Sequence, residues 1–342
     1  LPGFFLALTL SLVLVPVVRR IALSSGWVDD PGERKIHQVP TPRLGGVAVW
    51  LAFMVSFAFI YWQLGSSFPH KSGVTGILAG STLIFLLGLT DDLKGLSPYV
   101  KLMGQLFAAG VAFTLGVQVN TLDLPGAMLL ILHGLSIPVT VLWLVGVANS
   151  LNFIDGVDGL ASGIITISAV TLMVVAVFTN QPYAGLLACL LAGANLGFLV
   201  YNFHPARIFM GDSGALFSGF MLAAIAVAGV LKTQVAVMLL PVLVLSVPIL
   251  DITYSTLRRL VKRQNPFIAD ADHIHHKLLR AGFSQTRTVW ALYAVGFTSG
   301  VIASNYVGSL PEYLVLMGGV ALLGLLLVVL RRRAMLKKTS DA

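Results

Sequence analysis

The constraint that dominates this chain is the recurrence of apolar runs as long as a bilayer is thick. A helix needs about 20 apolar residues to cross the hydrocarbon core. Eleven such runs occur, at 1–23, 46–64, 73–90, 98–116, 129–148, 159–179, 184–201, 213–231, 235–256, 288–304 and 312–330. Between them no polar stretch is long enough to form a separate soluble domain. The expected fold is all-α: a polytopic integral membrane protein of about 11 transmembrane helices, one domain over 1–330, with a basic cytoplasmic tail over 331–342. His133 and Pro138 interrupt the fifth run, so a ten-span reading stays open. The opening LPGFFLALTLSLVLVPVVRR lacks a basic leader and a small-residue cleavage site, and reads as a first span rather than a signal peptide. Only 11% of residues are charged, against about 25% in soluble domains. The one cysteine, Cys189, lies inside an apolar run, which excludes an internal disulfide and a cysteine-based zinc site.

The charges then orient the bundle. Threaded through eleven spans, every Lys and Arg except Lys71 and Lys232 falls on one side. The positive-inside rule makes that side cytoplasmic, with the N-terminus outside and the C-terminus inside a plasma (inner) membrane. The net charge of +8 is thereby a matter of lipid anchoring at span ends, and nucleic acid is not an expected partner. The acids are more informative. All but Asp123 and Glu312 fall on the same side, although acids contribute little to orientation. A charge deep in a bilayer costs about 2.5–3.5 kcal/mol on insertion scales, so carboxylates gathered at span ends call for another reason.

Five segments on that side hold ten of these twelve acids: DDPGERKIHQVPTPRLGG (29–46), TDDLKGLSPYVK (90–101), NSLNFIDGVDGLASG (149–163), NFHPARIFMGDSG (202–214) and ADADHIHHKLLRAGF (269–283). Helix starts offer free N–H groups and a positive dipole end, which favour phosphate. Glycines let a ligand approach the backbone. Carboxylates beside such a site repel phosphate unless a cation bridges them, and Mg²⁺ prefers one or two carboxylates plus phosphate oxygens. The third and fourth segments together suggest a magnesium–pyrophosphate site. Each feature also has a plainer reading. Asp91 and Asp92 fit a solvated turn, while Asp155, Asp158 and Asp212 fit helix caps. Asn149, Asn152 and Asn202 fit loop amides, and Lys35 and Arg43 fit lipid anchors. Against these stands the gathering of all five segments on one face.

In order and spacing, PTPRLGG, the Asp91–Asp92 pair, NSLNFIDGVDGL, NF…FMGDSG and HIHH resemble the polyprenyl-phosphate N-acetylhexosamine-1-phosphate transferases over roughly 29–283. The resemblance implies transfer of a sugar phosphate from a UDP-sugar to a polyprenyl phosphate lipid at the cytoplasmic face. It implies Mg²⁺, with Mn²⁺ as a substitute, and release of UMP. Arg43–Leu44 before the glycine pair and Ile274 within the histidine run are similar to the bacterial branch that uses UDP-GlcNAc and undecaprenyl phosphate to begin a cell-envelope glycan, such as lipopolysaccharide or teichoic acid. The alternative branch is the phospho-MurNAc-pentapeptide transferase of peptidoglycan synthesis. Outside the family, an anionic-solute transporter and a lipid-phosphate scaffold are the competing classes.

Carried over position by position, the resemblance makes Asp212 a magnesium ligand, with Asn152 as a second. Asp91 and Asp92 match the acidic pair near the reacting phosphates. Asp155 and Asp158 match the loop that binds nucleotide and orients the site. Phe209 matches an aromatic that stacks on uracil, and Asn202 a nearby amide. Lys101, His273 and His275 are candidates for holding phosphate charge, with His276 beside them against substrate. Lys35 and Arg43 lie in the loop that approaches nucleotide and lipid phosphate. A homodimer is a possible assembly. Direct attack by lipid phosphate and a covalent phospho-aspartate are both open.

Overall fold

The computed structural model describes residues 1–29, 40–65, 72–122, 130–227, 242, 245–261 and 274–340. It is a helical bundle: α1 (Pro2–Ser24), α2 (Gly45–Leu64), α3 (Ser72–Lys94), α4 (Pro98–Thr114), α5 (Ser136–Ile154), α6 (Leu160–Phe178), α7 (Pro182–Asn202), α8 (Gly211–Ile225), α9 (Ser246–Val261), α10 (Ile274–Arg280), α11 (Gln285–Tyr306) and α12 (Leu310–Ser340). Among the described residues the extended backbone amounts to two short antiparallel pairs. These are β1 (Val28–Asp29) with β2 (Thr41–Pro42), and β3 (Thr121–Leu122) with β4 (Leu130–Ile131). Seven described helices are long and apolar enough to cross a membrane, namely α1, α2, α3, α5, α6, α7 and α12. The chain is a multi-pass, all-α membrane protein.

Helix starts follow local chemistry. Pro2, Pro98 and Pro182 stand in the first turn of α1, α4 and α7, where a missing N–H costs nothing and φ is already set. The Ser97 hydroxyl accepts the Val100 amide at the head of α4. The fifth span differs from its expected bounds of 129–148. It begins at Ser136, because Leu130–Ile131 is strand β4, paired with Thr121–Leu122, and Pro138 sits in its first turn rather than interrupting it. It then runs on to Ile154, so Asn149 and Asn152 are helical rather than loop amides. The acidic pair likewise lies on the last turn of α3, not in a turn after it. Gly95, with φ +68°, ends that helix and donates its amide to the Asp91 carbonyl at 2.8 Å.

The bundle is organised about α8. Every residue from Ser213 to Ile225 is buried, the mark of a helix enclosed on all sides. It packs on α2, α3, α5, α6 and α7, while α1 lies against α7 and α2, and α11 against α6. The backbone of the first loop is stitched to the segment before α8. Phe209 N–H donates to Pro42 O at 2.7 Å, Gly45 N–H to Phe209 O at 2.9 Å and Gly46 N–H to Met210 O at 2.8 Å. Two loops far apart in sequence thus form one platform under the start of α8.

Candidate active site

Four helix ends meet at one place: the end of α3, the start of α4, the end of α5 and the start of α8. On α3, Asp91 accepts the Leu96 amide at 2.6 Å through Oδ1 and the Lys101 ammonium at 3.0 Å through Oδ2. The same ammonium, from the first turn of α4, makes an ion pair with Asp212 in the first turn of α8. Lys101 therefore stands between two carboxylates that are separated by 121 positions in the sequence. One turn further along α4, Gln105 is buried and forms a reciprocal amide pair with Asn149 of α5, at 3.1 and 2.7 Å. That pair fixes α4 against α5 and sets the height of Lys101.

Asp92 points away from solvent and is 6% exposed. Its Oδ1 accepts the Asp212 amide at 2.9 Å and its Oδ2 the Ser213 amide at 3.0 Å. Asp155, which follows the last turn of α5, lies close enough to the Gly211 amide to feel it. Two amides in the first turn of α8 are thus satisfied by one protein carboxylate. This corrects the expectation that the helix start offers free amides to phosphate: the protein has already used them. It also answers the capping question, since Asp212 is capped by Asp92 and is not itself the cap. Gly211 has φ +71°, and a Cβ there would lie 2.3 Å from Arg43 O and 2.7 Å from Asp92 Oδ2. Only glycine fits that turn.

The 155–162 turn is tied to the 202–210 segment. Asn202, buried at the end of α7, accepts Gly159 N–H at 3.1 Å and the Ser162 hydroxyl at 2.9 Å, and donates to Ile208 O at 3.0 Å. Asp158 Oδ2 meets His204 Nδ1 at 2.8 Å and accepts the Ala206 amide at 3.0 Å. The Tyr293 hydroxyl of α11 donates to Gly159 O. A Cβ on Gly163 would come within 1.8 Å of that hydroxyl oxygen, so the tyrosine seats directly on α6. Tyr293→Phe should cost about 1 kcal/mol, because it removes one buried hydrogen bond while the Gly163 amide still serves the Gly159 carbonyl; thermal unfolding in detergent measures it, and an unchanged midpoint would deny Tyr293 this bracing role.

Electrostatics follow from the crowding. Burial first, then the neighbouring charges of Asp92 and Asp158, push the Asp155 carboxyl well above the usual carboxylate range. Arg43 and Asp91 are close enough to act on Asp92, and Arg43 also faces Asp29 at 3.8 Å. Acids outnumber bases here, so the place favours a cation. Among the described residues no three His, Cys, Asp or Glu side chains form a ready-made metal cage. That donor set suits Mg²⁺, which takes few carboxylates and leaves positions for phosphate and water. It does not suit a closed structural site.

The structure thus brings together Asp91, Asp92, Lys101, Asp155 and Asp212, with Arg43 near Asp92 and Asn152 one turn before Asp155. Asp158 and Asn202 serve the adjoining turn. Phe209 is half-buried and holds the platform through its backbone. Lys35 and His273 lie outside the described residues. His275 and His276 fall on α10, but their side chains lie outside the description. Gln105, His204, Ser213 and Tyr293 were not singled out from sequence. Gln105 had a signal: a lone amide in an apolar helix, four residues after Lys101 and so on the same face.

Comparison with known proteins places this geometry. Residues 74–230 match glycosyl transferase family 4. The chain is 35% identical to a Bacillus subtilis protein named as a probable undecaprenyl-phosphate N-acetylglucosaminyl 1-phosphate transferase, over 88% of this chain and 83% of that one. It is 35% identical to a Mycobacterium tuberculosis decaprenyl-phosphate N-acetylglucosaminephosphotransferase, over 92% and 85%. A phospho-N-acetylmuramoyl-pentapeptide-transferase of Halalkalibacterium halodurans is 30% identical over 88% and 94%. The match runs through every helix that frames the acidic site, and the chain belongs to the polyprenyl-phosphate N-acetylhexosamine-1-phosphate transferases of glycosyl transferase family 4.

Proposed function

We propose that this protein transfers N-acetylglucosamine-1-phosphate from UDP-GlcNAc to undecaprenyl phosphate, giving undecaprenyl-pyrophosphoryl-GlcNAc and UMP. The observation that carries the reading is the meeting of Asp91, Lys101, Asp155 and Asp212 at four helix ends. The choice of sugar rests on the relatives at 35% identity, against 30% for the muramoyl-pentapeptide enzyme, and on Arg43–Leu44 and Ile274 in their motifs.

In the reaction, an oxygen of the lipid phosphate attacks the sugar-side phosphorus of the UDP-sugar. One phosphoanhydride forms and one breaks, so the reaction is near balance and labelled UMP exchanges into UDP-GlcNAc. Asp212 and Asn152 would hold Mg²⁺, or Mn²⁺ in its place; the ion would neutralise charge on the diphosphate and the departing UMP. Lys101 holds phosphate charge beside it. Asp91 takes the remaining proton of the lipid phosphate, a modest task because the second pKa of a phosphate monoester is about 6. Asp92 is a positioning residue, since both its oxygens hold α8. The other charges act by fixing the reactants in line, which supplies most of the rate. Attack is direct, and a labelled phospho-enzyme trapped without lipid would overturn that. The Lys and Arg distribution supports a cytoplasmic site, with the N-terminus outside.

The deciding experiment offers purified protein, undecaprenyl phosphate and Mg²⁺ to UDP-GlcNAc, UDP-GalNAc and UDP-MurNAc-pentapeptide, and follows UMP. Release from UDP-GlcNAc alone supports the reading; release from the pentapeptide substrate alone refutes it.

A pH prediction follows from Asp155. Its folded pKa is raised, so the metal-free fold carries a stabilising proton below the ordinary carboxylate pKa and loses that stability as pH rises through the raised value. A cation binds the ionised form. The thermal stabilisation given by Mg²⁺ should therefore grow with pH across this window, and Asp155→Asn should flatten the trend. An equal shift in melting temperature at every pH would count against it.

A further inference from the structure

A second charged place lies at the same end of the bundle but is built from other elements. Arg19, near the end of α1, donates from Nε to Arg207 O at 3.2 Å. Arg331, on α12, donates to Val200 O and lies over the Tyr201 ring, 5.3 Å from its centroid. The Tyr201 hydroxyl bonds Leu12 O of α1 at 3.0 Å, and both Arg207 and Arg331 act on it. Arg207 and Arg331 thus act on one tyrosine, while Arg19 reaches across from α1 to the backbone of Arg207. Arg19 and Arg331 are held by backbone carbonyls. Among the described residues, Arg19 and Arg207 have no carboxylate within ion-pair distance, in contrast to Lys101 and Arg43. Partial burial and the neighbouring Arg19 pull Arg207 below the usual arginine pKa.

The like charges of Arg19 and Arg207 destabilise one another unless an anion completes the pair. The guanidinium fork matches phosphate oxygens. What lies beneath identifies the carrier of that phosphate. Below Arg19, Val13 and Val17 of α1 are exposed one turn apart; below Arg331, Leu322, Leu325, Leu326 and Val329 of α12 are exposed. Both helices pack on α7, which carries Tyr201. Apolar side chains leading up to arginines at a span end accommodate acyl chains below a phosphate.

We propose that Arg19 and Arg207 form a site for the headgroup phosphate of an anionic glycerophospholipid, separate from the carboxylate site where transfer takes place. Free phosphate and the polyprenyl phosphate substrate share the same chemistry, and the test must separate them. The site does not depend on the transferase reading, because its readout is bound lipid.

The full chain is placed in mixed phosphatidylglycerol–phosphatidylcholine nanodiscs, and retained lipid is counted by native mass spectrometry. The wild type is expected to retain phosphatidylglycerol over phosphatidylcholine. Each arginine near a membrane surface contributes about fivefold, so Arg19→Gln with Arg207→Gln should weaken retention about 25-fold, while UMP release in detergent stays at the wild-type rate. Arg19→Lys with Arg207→Lys keeps the charge but not the fork, and should lie between. Equal retention of the two lipids by the wild type would overturn the proposal even if the double variant failed to fold. So would displacement of phosphatidylglycerol by millimolar inorganic phosphate, or by equimolar undecaprenyl phosphate.

Discussion

Asp212→Ala should abolish UMP release, by at least about a thousandfold, and leave the fold intact. The size follows from what the side chain serves. Removing one preorganised electrostatic group costs about 10²–10³ in rate, and Asp212 would be both a ligand for the cation and the partner that sets Lys101. With it gone, the ammonium relaxes onto Asp91 alone, and the site loses its cation and its geometry together. Stability should barely move, because the carboxylate caps no helix and its amide, held by Asp92, is untouched. Radiolabelled UMP release and a thermal unfolding curve on the same preparation read the two effects. Transfer at the wild-type rate would remove Asp212 from the site.

Asp92→Ala is the opposite case, with the largest expected effect on the fold. The substitution orphans two amides in the first turn of α8. One orphaned buried donor costs about 1–3 kcal/mol, and loss of a cap about 1 kcal/mol more, so about 3 kcal/mol is expected overall. Activity should fall with it, because α8 carries Asp212. Asp92→Asn keeps one acceptor and turns an NH₂ toward the other amide, so it should lose about half as much stability. Asp91→Asn, next door, should impair transfer with little change in unfolding. The contrast separates the pair into one residue facing the reactants and one facing the protein. Equal destabilisation by the alanine substitutions of Asp91 and Asp92 would show that division to be wrong.

Much of this was legible in the sequence, for physical reasons. Each of the eleven apolar runs overlaps a helix, since a bilayer permits little else. The acids at span ends marked the site, because charge there needs a purpose. What was not legible was direction. Asp91 and Asp92 are adjacent, and only the helical register shows that one faces Lys101 and the other the core. The end of α3 was in fact signalled by Lys94–Gly95, a common helix stop, which an apolar count ending at Thr90 passes over. The α8 amides looked free because their cap comes from α3, and no local pattern records a cap supplied from elsewhere. Tyr293 was hidden for the same reason: its use lies in the small size of Gly163, far away in the chain.

The bond between Asp92 and the head of α8 also bears on how the protein is made. Its two ends are 120 residues apart, so α3 enters the membrane well before its partner leaves the ribosome. Until α8 docks, Asp92 has no amides to hold and must stay hydrated at the membrane border. Docking then seats the central helix, dries that carboxylate and sets Asp212 beside Lys101 in one event. A nascent chain halted before residue 211 would already be anchored in the bilayer, yet it would hold only scattered parts of a reaction centre.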